Sequence, residues 1–409
     1  MSRSAFFRRS FLAALIPALA FAASAQIAVE GKKVFTLAGP PLADGIVLLH
    51  DGKIEAVGRR GEVVVPADYQ VIRAEVVTPG LIDAHSVVGL SGILNQAQDQ
   101  EQLERSAPMQ PELRAIDGYN AIDPLVEWVR QLGVTTLHTG HAPGALVSGQ
   151  TMIIKTGDRT ISTNVLNPAA MVACTLGRGS LETKEKKSPG TSAKAVAMLR
   201  AELIKAREYS EKLNRKEEDK RPARDLHLEV LARVLDQSMP LLVTVHRHQD
   251  ILAALRVAKE FQIKLVLDGV SDAPLVLDEI KASGFPVLLH PTMARSYEEA
   301  ENLSMETAAK LRKAGIPFAL QSGYETYVPK TRVVLFEAAL AAANGLTPEE
   351  ALATITIDAA RILGISDRVG SIQKGKDADL ALFDGDPFEY TTHCTGVVIS
   401  GKEWTGAVR

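Results

Sequence analysis

The chain has 409 residues, of which 46% are hydrophobic and 23% are charged, and its formal net charge at neutral pH is −3. This length exceeds what one small core can organise, so we expect one large domain and a smaller one. The mild acidic excess, with both signs spread along the chain, argues against binding to nucleic acid or to anionic membranes.

The first 25 residues have the pattern of an export signal. Arg8 and Arg9 give a positive start, residues 11–22 are apolar, and residues 23–25 read Ala-Ser-Ala, the small-x-small pattern of a cleavage site. We therefore expect a mature chain that begins at Gln26, lies in the periplasm or outside the cell, and keeps no membrane attachment. The two arginines resemble a twin-arginine signal, and both that route and general secretion stay open.

Both ends of the mature chain are rich in strand patterns. Residues 45–50 and 54–58 are apolar runs joined by Asp51-Gly52, which predicts a β-hairpin. Residues 378–383 and 397–399 predict further strands near the C-terminus. We expect residues 26–77 and 366–409 to build one small β-sandwich together.

The intervening residues, 78–365, alternate strand-like and helical runs. We expect strands at 134–139, 241–246, 263–268, 285–290 and 316–322, and amphipathic helices at 250–261, 274–283 and 299–314. This alternation favours parallel strands joined by helices, either as a (β/α)8 barrel or as a doubly wound sheet. Thr347, Pro348 and Glu350 predict a capping box at a helix start. The charged stretch 182–222 predicts a solvated loop and an exposed helix.

One motif carries most of the chemical information. Residues 79–85 read Pro-Gly-Leu-Ile-Asp-Ala-His and end an apolar strand, with Val87 two residues beyond His85. Alternate residues of a strand face the same side, so histidines at 85 and 87 would reach one metal ion. The valine has no lone pair to donate, and the pair of ligands is therefore incomplete.

With four further motifs in the same order, the chain resembles the amidohydrolase superfamily, and in particular its imidazolonepropionase-like exported branch. The further motifs are Gly-Val-Thr-Thr at 133–136, Ser-Gly-Gln at 148–150, Asp-Ala-Ala-Arg-Ile-Leu-Gly at 358–364 and Gly-Lys-Asp-Ala-Asp-Leu at 375–380. The resemblance implies an α/β fold, a distorted (β/α)8 TIM barrel plus a small β-sandwich built from both termini. It also implies a hydrolase of C–N bonds other than linear peptide bonds, with one or two divalent metals at the barrel mouth.

Matched to the family, the metal ligands are largely replaced. The strand-5 position falls on Thr244, or on His246 if the register shifts by two residues. The strand-6 and strand-8 positions fall on Gly269 and Gly323, and the latter also replaces the family's general base. A catalytic zinc needs about three protein ligands, so we expect that no cofactor binds. The alternative is zinc or another divalent metal in a rebuilt site.

Polar residues at or near the ends of the strand-like runs predict a pocket at the barrel mouth. The pocket candidates are His138, His141, Lys155, Thr244, Asp268 and Ser322. The candidate metal ligands of a rebuilt site are His85, His246 and His290, with Asp268 beside them.

Three functions stay open. The first is a non-catalytic or weakly active subunit, paired with an amidohydrolase-like partner chain or with a second copy of itself. The second is an active metal-dependent amidohydrolase or dipeptidase-like hydrolase that uses a rebuilt site. The third is an exported protein that binds a small molecule. Whether Cys174 and Cys394 pair also stays open, since their spacing does not decide it.

Overall fold

The structure is a computed structural model that describes residues 26–94, 96–181, 189–217, 219, 221–296, 298–324 and 333–405. The predicted export signal, residues 1–25, lies outside the described residues. No helix within the described ranges is long and apolar enough to cross a membrane.

The described residues form both strands and helices throughout. The strands are β1 Ile27–Val34, β2 Leu42–His50, β3 Lys53–Arg59, β4 Gln70–Pro79, β5 Leu81–Ser86, β6 Val134–Thr139, β7 Val147–Gln150, β8 Met152–Lys155, β9 Val165–Asn167, β10 Val172–Thr175, β11 Leu241–Val245, β12 Leu265–Gly269, β13 Val287–Leu289, β14 Phe318–Leu320, β15 Leu380–Phe383, β16 Cys394–Ile399 and β17 Lys402–Thr405. The helices are α1 Ala115–Gly118, α2 Pro124–Gln131, α3 Ile161–Asn164, α4 Ser192–Leu213, α5 Leu226–Leu235, α6 His248–Phe261, α7 Leu277–Ser283, α8 Thr307–Ala314, α9 Val334–Ala343, α10 Pro348–Thr354 and α11 Ile357–Ile362.

A seven-stranded sheet joins the two ends of the chain in the order β17-β16-β15-β4-β1-β2-β3. The predicted hairpin is confirmed, because β2 and β3 pair antiparallel from Gly45↔Arg59 to His50↔Lys53. The late strand β15 pairs antiparallel with β4, which precedes the first barrel strand. The apolar side chains of both ends then share one buried cluster that includes Ile27, Val47 and Leu380.

Most of the barrel strands pair parallel, and β7 and β8 are the exceptions described below. Strands β10 to β14 form a continuous parallel run, and β5 pairs parallel with β6. The N–H of Gly323 donates to the carbonyl oxygen of His85 (3.3 Å), which connects the end of β14 to β5. Between β6 and β10, however, β8 runs antiparallel to β6 and β7 runs antiparallel to β10. The barrel prediction is thus confirmed in its distorted form, and the doubly wound alternative is wrong.

The prediction of an exposed helix in the charged stretch 182–222 is wrong, because the helix found there buries one of its faces. Helix α4 lies in the charged stretch but buries Ala195, Leu199 and Leu203 along one face. These residues recur at a spacing of four, which places them on the side that packs against α5 and α6. The high charge of the segment concealed this apolar stripe. Residues 182–188 lie outside the described part of the chain.

Cys174 and Cys394 are both buried as free thiols. Burial raises the pKa of Cys174 to about 12 and that of Cys394 to about 11. Neither group is therefore a reactive thiolate near neutral pH.

Candidate functional site at the barrel mouth

A cavity of about 280 Å³ opens at the carboxyl ends of β10, β11, β13 and β14. Its wall includes Thr244, which lies within β11, and His246 and His290, which directly follow β11 and β13. The loops after β5 and β13 add Arg105 and Arg295 at the rim. This end of a barrel is where barrel enzymes hold their ligands.

Asp268 is fully buried beneath this cavity and has several hydrogen-bond donors. Its Oδ2 accepts from the hydroxyl of Thr244 (2.5 Å), and its Oδ1 accepts from Nε2 of Gln321 (2.6 Å). Nδ1 of His85 lies 3.3 Å from the same Oδ1. Burial by itself would raise the pKa of Asp268, but His85 and the two donors outweigh it and lower that pKa below its usual value. The buried carboxylate is therefore ionised and stabilised by side chains of the protein.

His138 lies inside the barrel and contacts its neighbours through both ring nitrogens. Its Nδ1–H donates to the carbonyl oxygen of Ala84 (2.6 Å), which leaves Nε2 to accept from the hydroxyl of Thr151 (2.7 Å). Burial, with a smaller contribution from His85, lowers the pKa of His138 to about 3. This neutral imidazole holds β6 against β5 and does not line the cavity.

His290 differs because one of its nitrogens is unused. Its Nδ1–H donates to the carbonyl oxygen of Pro291 (3.0 Å), which fixes the tautomer and makes Nε2 an acceptor. That Nε2 has no hydrogen-bond partner among the described residues, although the side chain is only 1% exposed. Burial lowers the pKa of His290 to about 4, so the ring is neutral. His290, one of the residues that line the cavity, thus has a buried and unpaired ring nitrogen.

His246 forms a second part of the wall. Its Nδ1 hydrogen-bonds to the hydroxyl of Ser271 (2.9 Å), and its Nε2 lies 3.4 Å from the hydroxyl of Tyr324. Burial lowers the pKa of His246, despite nearby carboxylates that favour the charged ring. The wall therefore carries two neutral imidazoles.

Lys155 was predicted to line this pocket, and that prediction is wrong. Its ammonium lies 2.8 Å from Asp377 and 2.9 Å from Asp379, at the junction with the terminal sheet. Strand β8 runs antiparallel to β6 and pairs Lys155 with Thr136, so its carboxyl end points away from the mouth. The prediction assumed parallel strands, which would have placed Lys155 at the opposite end.

Two other predicted pocket residues lie outside the lining of the cavity. The hydroxyl of Ser322 donates to Oδ2 of Asp83 (2.5 Å) and its N–H donates to Oδ1 (3.0 Å), which ties the residues after β14 to β5. His141 is buried beside Gly149, and its ring nitrogens have no partner among the described residues. Burial lowers the pKa of His141 to about 4. Both residues are enclosed by neighbouring parts of the protein, and neither lines the cavity.

The sequence did not point to Gln321 and Tyr324 as members of this site. Gln321 follows the apolar strand β14 and directs its amide to Asp268, while Tyr324 lines the cavity. A polar residue directly after a buried strand was the available signal for Gln321. Arg105 and Arg295 come from irregular loops, for which a periodic pattern gives no position.

Similarity to proteins of known structure and sequence identifies the family to which the chain belongs. An amidohydrolase of known structure from Thermotoga maritima MSB8 is 30% identical, covers 92% of this chain and 99% of its own, and superposes with a TM-score of 0.87. The chain belongs to the amidohydrolase superfamily. The sequence pattern of the Amidohydrolase family matches residues 295–404.

Its relatives in this superfamily include imidazolonepropionases. The protein from Fusobacterium nucleatum is 24% identical over 389 residues, which are 87% of this chain and 88% of the relative. The protein from Solibacter usitatus is 24% identical over 412 residues, 89% of this chain and 93% of the relative. The predicted resemblance to the imidazolonepropionase-like members of the superfamily is confirmed.

The positions matched to the family's metal ligands offer few donor atoms in this structure. Val87 is fully buried and apolar, and the hydroxyl of Thr244 is engaged with Asp268. Gly269 and Gly323 have φ angles of 84° and 94°, a region that residues with side chains rarely adopt. Within the described residues, no three His, Cys, Asp or Glu side chains are placed to hold a metal ion. His85, His246 and His290 are not brought together as a ligand set.

Proposed function

We propose that this chain is a non-catalytic or weakly active member of the amidohydrolase superfamily, whose barrel works without the family's metal. The observation that carries the proposal is the environment of Asp268. Its carboxylate accepts hydrogen bonds from Thr244 and Gln321 and faces His85. A buried anion needs compensation, and here side chains of the protein provide it in place of a cation.

The number of available donors supports the same conclusion. A catalytic zinc takes three protein ligands and keeps one position open for water, whose pKa it lowers. The positions matched to the family's ligands hold His85, Val87, Gly269, Gly323 and either Thr244 or, with the register shifted by two residues, His246. At most two of these residues, His85 and His246, carry a nitrogen donor.

The backbone also opposes a simple return to the family's ligand set. A Cβ atom on Gly269 would lie 2.7 Å from Cε1 of His246, besides the strain of a positive φ. A side chain at this position would therefore displace His246. The site has been remodelled beyond the loss of single ligands.

The proposal includes export and a partner. The signal pattern of residues 1–25 supports a location in the periplasm or outside the cell. A second amidohydrolase-like chain with a complete His-x-His strand, or another copy of this chain, would be the partner. Symmetric pairing of similar chains is the commonest form of assembly.

Metal analysis beside a turnover assay tests this proposal. Mature protein dialysed against zinc and then against buffer should hold far less than one equivalent of metal, and an imidazolonepropionase treated in the same way is the control. On cyclic amides and dipeptides, the chain alone should turn over far more slowly than the roughly 1 per second of ordinary enzymes. Stoichiometric metal together with ordinary turnover would refute the proposal and favour the rebuilt site.

The cavity supports a second candidate function, binding of a small molecule. Its wall contains the unpaired Nε2 of His290, and an unpaired buried polar atom is costly unless a ligand or water satisfies it. This function is compatible with the first, because a subunit without turnover can still bind a ligand.

A further inference from the structure

We propose that Gln26, once it is the first residue of the mature chain, cyclises to pyroglutamate, and that His50 is the acid–base catalyst of this step. This inference rests on the export and signal cleavage in the proposed function, because only a first residue has a free α-amino group. It assigns a modification site in the terminal sheet, outside the barrel-mouth cavity. The product lacks the positive charge of a chain terminus.

The pairing of β1 with β2 brings the side chains of Gln26 and His50 together. The two strands run antiparallel with Ile27 opposite Leu49, so the residue before β1 lies opposite the last residue of β2. Nε2 of Gln26 is 3.3 Å from Nδ1 of His50. The carbonyl oxygen of Gln26 accepts from the N–H of Gln70 (2.9 Å), which ties this residue to β4 as well. The side-chain amide of Gln26 is thus held beside an imidazole.

Asp51 gives this imidazole a suitable orientation for proton transfer. Nε2 of His50 lies 3.2 Å from a carboxylate oxygen of Asp51. The carboxylate favours a proton on Nε2, so Nδ1 keeps its lone pair and faces the amide of Gln26. The same carboxylate stabilises the ring when the ring takes up a second proton. A carboxylate, a base and a reacting group therefore follow one another within hydrogen-bond reach.

Cyclisation exchanges one C–N bond for another and needs no oxidant, reductant or water. The α-amino nitrogen of Gln26 attacks Cδ, the bond between Cδ and Nε2 breaks, and ammonia leaves. At neutral pH part of any α-amino group is an unprotonated nucleophile, since its pKa is about 8.

One proton has to move during this exchange. The attacking nitrogen must lose a proton, and the leaving nitrogen must gain one. Both nitrogens are bonded to Cδ in the tetrahedral intermediate, so a base that faces one of them lies close to the other. Nδ1 of His50 faces the leaving nitrogen and carries the proton between the two.

Intact-mass measurement over time tests the proposal. The full chain from residue 26 onward is released from a fusion by a protease that leaves Gln26 first, and a synthetic peptide of residues 26–34 gives the rate without the fold. We expect the folded chain to lose the mass of one ammonia about 100-fold faster than the peptide, the lower end of what a positioned acid–base group contributes. A folded chain that cyclises no faster than the peptide would overturn the proposal.

A pair of histidine variants tests the role of His50. His50→Asn should cyclise at the rate of the peptide, because no group then moves the proton. The side chain of His50 is 42% exposed, so the substitution does not threaten folding. His393→Asn is the matched control, since His393 is also exposed and also lies beside a carboxylate, that of Asp384 at 3.0 Å. The control should keep the wild-type rate. Cyclisation of His50→Asn at the wild-type rate would contradict the assignment.

N-terminal analysis of the protein exported by its own signal separates this proposal from the proposed function. If that protein still begins at Met1, the proposed export fails, and the released chain still decides whether His50 accelerates cyclisation. If it begins at Gln26 with a free α-amino group that persists on storage, export stands and the cyclisation fails.

Discussion

Asp268 is a buried carboxylate that neighbouring side chains stabilise. Its carboxylate is fully buried, accepts hydrogen bonds from Thr244 and Gln321, and lies 3.3 Å from Nδ1 of His85. The position of Thr244 follows from the alternation of β11, which also directs His246 to the cavity. Sequence could therefore predict where these side chains lie. It could not predict that Gln321 would reach across from β14.

Removing one donor from Asp268 should be costly. We expect Thr244→Val, which preserves shape, to lower the free energy of unfolding by about 1–3 kcal/mol, because a buried anion loses a hydrogen bond. Urea unfolding of wild type and variant measures this. Thr391→Val, at an exposed position, is the control and should change stability by less than about 0.5 kcal/mol. Equal effects of the two substitutions would contradict a role for this bond.

Restoring one family ligand should not restore the metal. Val87 is fully buried, so Val87→His places a polar ring in an apolar setting and should cost about 1–3 kcal/mol of stability. Metal content by mass spectrometry should stay far below one equivalent, since Gly269 and Gly323 still supply no ligand. Tight binding of zinc by this single variant would show that the remaining donors are better placed than we infer.

At the scale of elements, local signals worked where they had a direct structural cause. The hydroxyl of Thr347 accepts from the N–H of Glu350 (3.2 Å), and the Glu350 carboxylate accepts from the N–H of Thr347 (2.9 Å). This confirms the capping box predicted at the start of α10. The direction of β8 had no such signal, because strand direction is decided by pairing partners distant in sequence. The unexpected direction of β8 is the reason that the predicted position of Lys155 is wrong.

Thr347→Ala should cost about 1 kcal/mol of stability, since the first turn of α10 loses its side-chain acceptor. Thr347→Ser keeps the hydroxyl and should restore most of the loss. Thermal unfolding of the three proteins checks the prediction. An alanine variant as stable as wild type would mean that water replaces the cap without cost.

At the scale of the whole molecule, Lys155 connects the barrel to the terminal sheet. Its side chain is 3% exposed, and its ammonium donates to Asp377, Asp379 and Ser400. Lys155→Met should destabilise the protein by about 3–5 kcal/mol, because it leaves the buried carboxylate of Asp379 without its cation, whereas Asp377 keeps Lys53 and Arg368. Lys402→Met removes an exposed pair with Asp158 and should cost at most about 1 kcal/mol. Similar losses in the two variants would refute the assignment.

The loss in Lys155→Met should depend on pH. Burial alone would raise the pKa of Asp377, but Lys155, with Lys53 and Arg368, lowers it to about 2, so its stabilising effect is present above about pH 4 and is lost as the pH falls toward 2. Burial already raises the pKa of Asp379, and loss of Lys155 should raise it further. The folded variant then binds protons more readily than the folded wild type. The difference in free energy of unfolding between the two proteins should therefore become smaller as the pH falls from about 7 to about 4. Urea unfolding across this range checks it, and a deficit that is constant or grows would contradict the sign.

The general architecture could be predicted from sequence, because strands and helices of the barrel have strong and separate periodicities. The cavity could be predicted only in part. His246 and His290 follow from strand ends, whereas Arg105 and Arg295 depend on loop conformations that no local pattern specifies.

The pairing of β4 with β15 has a consequence for how the protein is made. Nearly the whole barrel is synthesised between these two strands, so the ribosome releases β4 long before its neighbour exists. During that interval one edge of β4 exposes unpaired N–H and C=O groups, which other chains can capture. Contacts between residues so distant in sequence also form slowly. The nascent chain must therefore keep this edge covered until β15 arrives, and a product shortened before Leu380 would carry a permanent site for aggregation.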